Sequence, residues 1–273
     1  MTQFFTSSDG IRLAYRDQGS GPVVLCLPGL TRNGRDFDFL APHLPDCRLI
    51  RPDYRGRGAS GWARPESYDI PTEARDVLEL LDHLNIERAA IIGTSRGGLI
   101  AMTLAATAKQ RLSGVLLNDI GPEIAPKGLE VIDTYLGIPP RFQSYEQAAI
   151  ARSKMPGFAN VPMERWLQDA HHLFDETAHG LALNYDPDLR QAFSAGRHQP
   201  LPDLWPLFDA LGGLPLALIR GANSDILSAK TAAEMRRCRP DMIWAEVPDR
   251  GHIPFLDEPQ SLTAIHAFIE AIR

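Results

Sequence analysis

At 273 residues and 44% hydrophobic, the chain is long enough to bury one substantial α/β core plus a smaller elaboration. Its net charge of −6, with no basic cluster interleaved with aromatics, argues against a nucleic-acid partner. No stretch reaches membrane-spanning length and Met1-Thr2-Gln3-Phe4-Phe5 lacks a charged leader followed by a long apolar run, so no membrane role and a cytoplasmic location are expected.

In chain order, residues 4–17 read as an antiparallel hairpin turning at Ser8-Asp9-Gly10, and 23–27 as the next strand. Residues 48–50 form a short strand before the glycine-rich Pro52-Asp53-Tyr54-Arg55-Gly56-Arg57-Gly58-Ala59-Ser60. That loop reads as structural, its glycines permitting tight turns and Asp53 with Arg55 forming a local ion pair. A helix over 72–84 carries Ala74, Val77, Leu78 and Leu81 on one face. Cys26, Cys47 and Cys238 have no C-x-x-C spacing and read as reduced core residues.

The run Ala89-Ala90-Ile91-Ile92-Gly93-Thr94-Ser95-Arg96-Gly97-Gly98-Leu99-Ile100 sets a serine between a strand pattern and an apolar helix pattern, in the frame G-x-S-x-G. A strand that turns into a helix so abruptly needs glycine at 93, 97 and 98, and lifts Ser95 to the tip of the turn as a candidate nucleophile. Residues 115–117 follow as another buried strand.

The regular alternation breaks between 121 and 203, where nine prolines leave short helical pieces such as 145–154 and 163–177. Tyr135, Trp166 and Phe174 there, with Ile253 beyond, are candidate substrate-pocket residues. The pair His171-His172 has no completing carboxylate spacing, so no metal is expected.

A nucleophilic serine needs a base and an orienting acid. His252 lies in Pro248-Asp249-Arg250-Gly251-His252-Ile253-Pro254, between the strand-like 243–247 and a terminal amphipathic helix over 258–272, and is the candidate base. The remaining histidines, His43, His83, His171, His172, His179, His198 and His266, read as solvated or structural. For the acid, Asp225 falls in the loop after the apolar run 214–220 and is preferred. Its rival is Asp119, which ends the strand at 115–117 and reads otherwise as a turn cap before Gly121-Pro122.

With these motifs in place the chain resembles the α/β-hydrolase family. The order Ser95, Asp225, His252 is the family's nucleophile-acid-histidine order. Leu27-Pro28-Gly29-Leu30 resembles its oxyanion-hole loop, with Pro28 where a histidine is usual, and 52–60 resembles its D-x-R-G-x-G-x-S loop. The resemblance implies a mostly parallel eight-stranded sheet with helices on both faces, formed by 1–120 and 204–273, with a helical cap at 121–203 inserted after the sixth strand. It also implies oxyanion donors at the backbone amides of Leu30 and Arg96. The Arg96 side chain departs from the usual apolar or amide residue, and pairing with a nearby carboxylate is preferred over attraction of an acidic substrate.

The activity so implied needs no cofactor: hydrolysis of a small carboxylic ester, extending to lactones or thioesters, through an acyl-enzyme on Ser95. Carbon–carbon hydrolases rank second, weakened by Ile253 where they usually carry tryptophan, and haloperoxidase-like relatives third, weakened by Leu30. A single-turnover small-molecule receptor on the same fold stays open. Neither the natural substrate nor the oligomeric state follows from the sequence.

Overall fold

The computed structural model describes residues 1–197 and 202–273. His198 and Pro200 lie outside the described residues. The strands are β1 (Thr2–Thr6), β2 (Arg12–Gln18), β3 (Val23–Leu27), β4 (Arg48–Pro52), β5 (Ala89–Thr94), β6 (Leu112–Asn118), β7 (Phe174–Thr177), β8 (Gly180–Leu183), β9 (Leu216–Gly221) and β10 (Ile243–Val247). The helices are α1 (Ile70–His83), α2 (Arg96–Thr107), α3 (Pro126–Tyr135), α4 (Tyr145–Arg152), α5 (Met163–Leu173), α6 (Leu189–Arg197), α7 (Trp205–Asp209), α8 (Ala229–Cys238) and α9 (Pro259–Ala271).

Eight strands form one sheet in the order β1-β2-β4-β3-β5-β6-β9-β10. Antiparallel pairing is confined to β2, which pairs that way with β1 and with β4, while every other pairing in this sheet is parallel. The central strands are buried on both faces, as a parallel sheet between helical layers must be. Side chains of successive residues leave a strand on opposite faces. Thus Leu25, Leu27, Ile91, Val115, Leu117 and Leu218 pack with α1 and α2. Val24, Cys26, Ala90, Ile92, Leu116, Ala217 and Ile219 pack against Ile265, Phe268 and Ile269 of α9. Burying each such large side chain stabilises the fold by about 1.5–3 kcal/mol before chain entropy is counted.

The loop after β4 is held differently from expectation. Asp53 and Arg55 do not pair. The Asp53 carboxylate accepts the amides of Gly34 and Ala59, at 2.8 and 2.9 Å, because it lies inside the turn, whereas Arg55 reaches outward to Asp9 and Asp76. Cys26 and Cys47 are buried thiols, but Cys238 is exposed at the end of α8, contrary to its reading as a core residue.

Residues 121–203 contribute α3 to α6 and the separate hairpin β7–β8. The helical pieces stop short of the expected bounds, at Arg152 and Leu173, and Phe174 starts a strand. Ala148, Ala170 and Leu181 form a small core with Phe142, Tyr145 and Phe174. The segment is tied to the sheet loops by polar contacts: Asn33 Nδ2 donates to the His172 carbonyl at 2.9 Å, and the Tyr68 hydroxyl to Asp186 at 2.5 Å. Among the described residues no helix is long and apolar enough to cross a membrane.

Candidate active site

β5 ends at Thr94 and α2 begins at Arg96, so a single residue makes the turn. Ser95 has φ +50° and ψ −114°, a conformation that L-residues adopt only when the surroundings impose it. The imposing contacts are close. A Cβ at Gly93 would lie 2.6 Å from the Gly97 carbonyl carbon, and one at Gly97 would overlap the Leu27 carbonyl. The Ser95 amide is anchored to the Asn118 carbonyl at 3.0 Å.

His252 stands on the loop after β10, its imidazole mostly enclosed. Its Nε2 is 2.9 Å from Ser95 Oγ and its Nδ1 is 2.7 Å from Asp119 Oδ2. An ionised carboxylate can only accept, so Nδ1 carries the proton and the Nε2 lone pair faces the serine hydroxyl. Asp119 is fully buried, and it also accepts from the Gly221 amide at 2.9 Å and the Ser224 hydroxyl at 2.6 Å.

The preference for Asp225 is therefore corrected: the carboxylate on His252 is Asp119. Sheet order supplies the reason. β6 lies between β5 and β9, with Thr94 abreast of Asn118 and Asn118 abreast of Ile219. The residue just past β6 is thus flanked by the serine and by the loop after β9. Asp119 itself turns there with φ +56°. The β9 loop serves the acid through Ser224, while the next residue, Asp225, is half-buried with no hydrogen bond to protein among the described residues.

The Gly29 loop runs past the serine: a Cβ at Gly29 would lie 3.9 Å from Ser95 Cβ and 3.3 Å from Arg32 Cγ. Leu30, the next residue, has no protein acceptor for its amide among the described residues. Arg96 is the first residue of α2, where an amide lacks an intrahelical partner. These two amides are the ones expected to receive an oxyanion.

Their loops are joined underneath. Arg57 Nε donates to the Leu30 carbonyl at 2.8 Å and Arg57 Nη1 to Glu73 Oε1 at 2.7 Å; Arg96 Nε donates to Glu73 Oε2 at 2.5 Å and its Nη2 to the Tyr68 carbonyl at 2.8 Å. The Arg96 side chain thus pairs with a carboxylate, as preferred. Arg57 and Glu73 are inaccessible to solvent. Burial, and next to it the charge of Arg96, act against the Arg57 guanidinium, while Glu73 supports it. Sequence reading passed over Glu73, which looks like one more charge on an amphipathic helix.

The pocket candidates separate. Trp166 is buried edge-to-face against Phe158 and Phe255, at 5.4 and 5.8 Å between ring centres, and Phe158 touches the Gly251 position beside His252. Ile253 follows the histidine and is half-buried. Tyr135 is 46% exposed, yet burial raises its phenol to about 12. Phe174 packs in the small core of the 121–203 segment. His172 is structural: its carbonyl accepts from Asn33 and Asn184, and its ring stacks obliquely on Phe39.

The family model described as the alpha/beta hydrolase family matches residues 24–265. The chain is similar to 3-hydroxybutyrate-oligomer hydrolase of Cupriavidus necator, 37% identical over 271 residues that cover 94% of this chain and 92% of that protein. It is also similar to 2-(acetamidomethylene)succinate hydrolase of Mesorhizobium japonicum, 29% identical over 96% of this chain and 92% of that one. A crystal structure of an alpha/beta hydrolase from Novosphingobium aromaticivorans superposes with a TM-score of 0.92 and 42% identity, covering 99% of this chain and 98% of the other. The chain is a hydrolase and belongs to the alpha/beta hydrolase family.

Proposed function

We propose that the protein is a serine hydrolase of small carboxylic esters, with Ser95 as nucleophile, His252 as general base and acid, and Asp119 as the orienting carboxylate. The observation that carries this reading is the unbroken hydrogen-bonded line from Ser95 Oγ through both nitrogens of His252 to Asp119. Ser95 Oγ attacks the ester carbonyl carbon as its proton passes to His252 Nε2, and Asp119 stabilises the imidazolium. The Leu30 and Arg96 amides receive the negative charge on the carbonyl oxygen, held in place by the Arg57–Glu73–Arg96 chain. Collapse expels the alcohol, which takes the Nε2 proton. Water, deprotonated by the same nitrogen, then releases the acid and restores the serine.

The segment 121–203 acts in this reading as the cap over Ser95. The similarity to a protein named for 3-hydroxybutyrate oligomers supports an ester as the bond cleaved. The test is covalent and kinetic. A fluorophosphonate should label Ser95 and not the Ser95→Ala variant, by peptide mass mapping, with p-nitrophenyl butyrate released well past one equivalent. Asp119→Asn should lower turnover by about 10⁴-fold, and Asp225→Asn far less. Label on another serine, or the reverse ranking of the two aspartates, overturns the assignment.

A further inference from the structure

Between the loop after β3 and the 121–203 segment lies a cluster that the proposed chemistry does not use. Asp169 of α5 is 1% exposed and is shared by two arginines from different parts of the chain. Arg32, two residues past the Leu30 amide, reaches it with Nη2 at 2.7 Å and spends its Nε on Asp36. Arg152, the last residue of α4, reaches the other Asp169 oxygen with Nε. Arg32 Nη1 and both Nη atoms of Arg152 then have no protein partner among the described residues, and none of the three is sealed from solvent.

The arginines are fixed in position although their outer edges are free. Burial pushes Asp169 up, but Arg152 and Arg32 outweigh it and hold the carboxyl down to about 2, so both guanidiniums keep their anchor at any working pH. The Arg152 guanidinium also sits 5.9 Å above the centre of the buried Trp166 ring. Pre-orientation of this kind removes most of the entropy an arginine loses on binding a carboxylate.

The stem of Arg32 runs near the serine. Arg32 Cγ and Ser95 Cβ both lie within 4 Å of one point, the place a Cβ on Gly29 would take. The charges of Arg152, Arg32 and Asp225 are all felt at the Tyr135 phenol. Asp225 adds a negative charge there. Asp36 and Asp169 balance the two arginines, so what the cluster offers a carboxylate is three free nitrogens rather than a surplus of positive charge.

We propose that Arg32 and Arg152 form a carboxylate-binding subsite beside Ser95, so that the ester cleaved carries a free acid group, as the half-ester of a dicarboxylic acid or the acyl ester of a hydroxy acid does. The subsite rests on the ester-hydrolysis reading for its consequence and on the arginine geometry for its existence. Its occupant bridges the β3 loop and the 121–203 segment.

Two matched pairs test it: mono-p-nitrophenyl glutarate against p-nitrophenyl pentanoate, with the acid on the acyl side, and 3-butyryloxybutyrate against its methyl ester, with the acid on the alcohol side. In at least one pair the acid-bearing ester should lead by about tenfold or more in kcat/KM, the difference residing in KM. Arg152→Met, which keeps the stem over Trp166, should bring that ratio down at least about tenfold. Arg152→Lys, which keeps the charge and loses the fork, should bring it part of the way. Glutarate or 3-hydroxybutyrate should bind the wild-type protein by calorimetry and bind Arg152→Met at least about tenfold more weakly. A ratio at or below one in both pairs, or a ratio and a binding constant unmoved by either variant, overturns the subsite. Failure of every ester to turn over, with Ser95 unlabelled, would instead sink the hydrolytic reading, and carboxylate binding would still judge the arginines.

Discussion

Two buried carboxylates, Glu73 and Asp169, each hold a pair of arginines, and the pairs do different work. Around Glu73 guanidinium donors also end on carbonyls, Arg57 on Leu30 and Arg55 and Arg96 on Tyr68, while Arg57 Nη2 is sealed from solvent without a partner among the described residues. Around Asp169 they do not, and the outer edges of Arg32 and Arg152 stay open. The same ion-pairing chemistry fixes backbone when its spare donors meet backbone, and offers recognition when they meet water. Burial of the carboxylate does not distinguish the two cases, since Glu73 and Asp169 are 0% and 1% exposed. What distinguishes them is the destination of the remaining N–H groups.

The largest effect expected of this contrast is on stability. Glu73→Ala strands the inaccessible Arg57 guanidinium beside Arg96, and should cost about 3–5 kcal/mol in chemical denaturation. Asp169→Asn should cost less, about 1–3 kcal/mol, because Arg32 keeps Asp36 and both arginines keep some access to water. Equal costs would erase the distinction between a closed and an open cluster.

A smaller effect separates position from stability. Glu73→Gln keeps the volume and one acceptor while weakening the link between the Leu30 and Arg96 loops. It should lower kcat on p-nitrophenyl butyrate by roughly tenfold to a hundredfold with KM little changed, in proportion to lost affinity for a trifluoromethyl ketone that mimics the oxyanion. Asp76→Asn weakens a neighbouring buried pair with Arg55, whose side chain touches neither loop although its carbonyl accepts from Arg57. It should lower the melting temperature and leave ketone affinity as it was. If both variants shift ketone affinity alike, the Glu73 cluster has no special claim on the oxyanion amides.

The smallest effect concerns pH. Burial, then the charges of Arg35 and Arg32, holds His172 down to about 3. An unfolded histidine titrates near about 6.5, so between these values the unfolded chain binds a proton that the folded chain refuses. Stability from this source is complete above about pH 6.5 and falls as pH drops toward 3. In His172→Gln the urea midpoint should therefore decline less between pH 7 and pH 5 than in the wild type; parallel declines would show that other groups set the acid limit.

Local sequence was informative wherever one chemical rule acts over a few residues. The G-x-S-x-G frame between an apolar strand and an apolar helix pointed to Ser95, because no side chain larger than hydrogen fits between those two backbones at Gly93 or Gly97. His252 was legible from its place after a strand. The acid was not. Asp119 and Asp225 both follow buried strands, and their spacing along the chain carries no information about which lies next to the imidazole. Asp53 and Arg55 failed for the same reason, since neighbours in sequence found partners at Gly34, Ala59, Asp9 and Asp76.

By itself, then, the sequence determined the alternation of strands and helices, the tight glycine turn that carries Ser95 and the place of His252 after a strand, all set by periodicity and sterics within a short window. The tertiary structure decided which carboxylate meets His252, the Glu73 clamp and the Arg32–Asp169–Arg152 cluster. Each joins residues far apart in the chain, 133 positions between Asp119 and His252 and 137 between Arg32 and Asp169. Charge pairing is not periodic and leaves no pattern along the chain. Its partners are selected only once sheet order has fixed which loops meet.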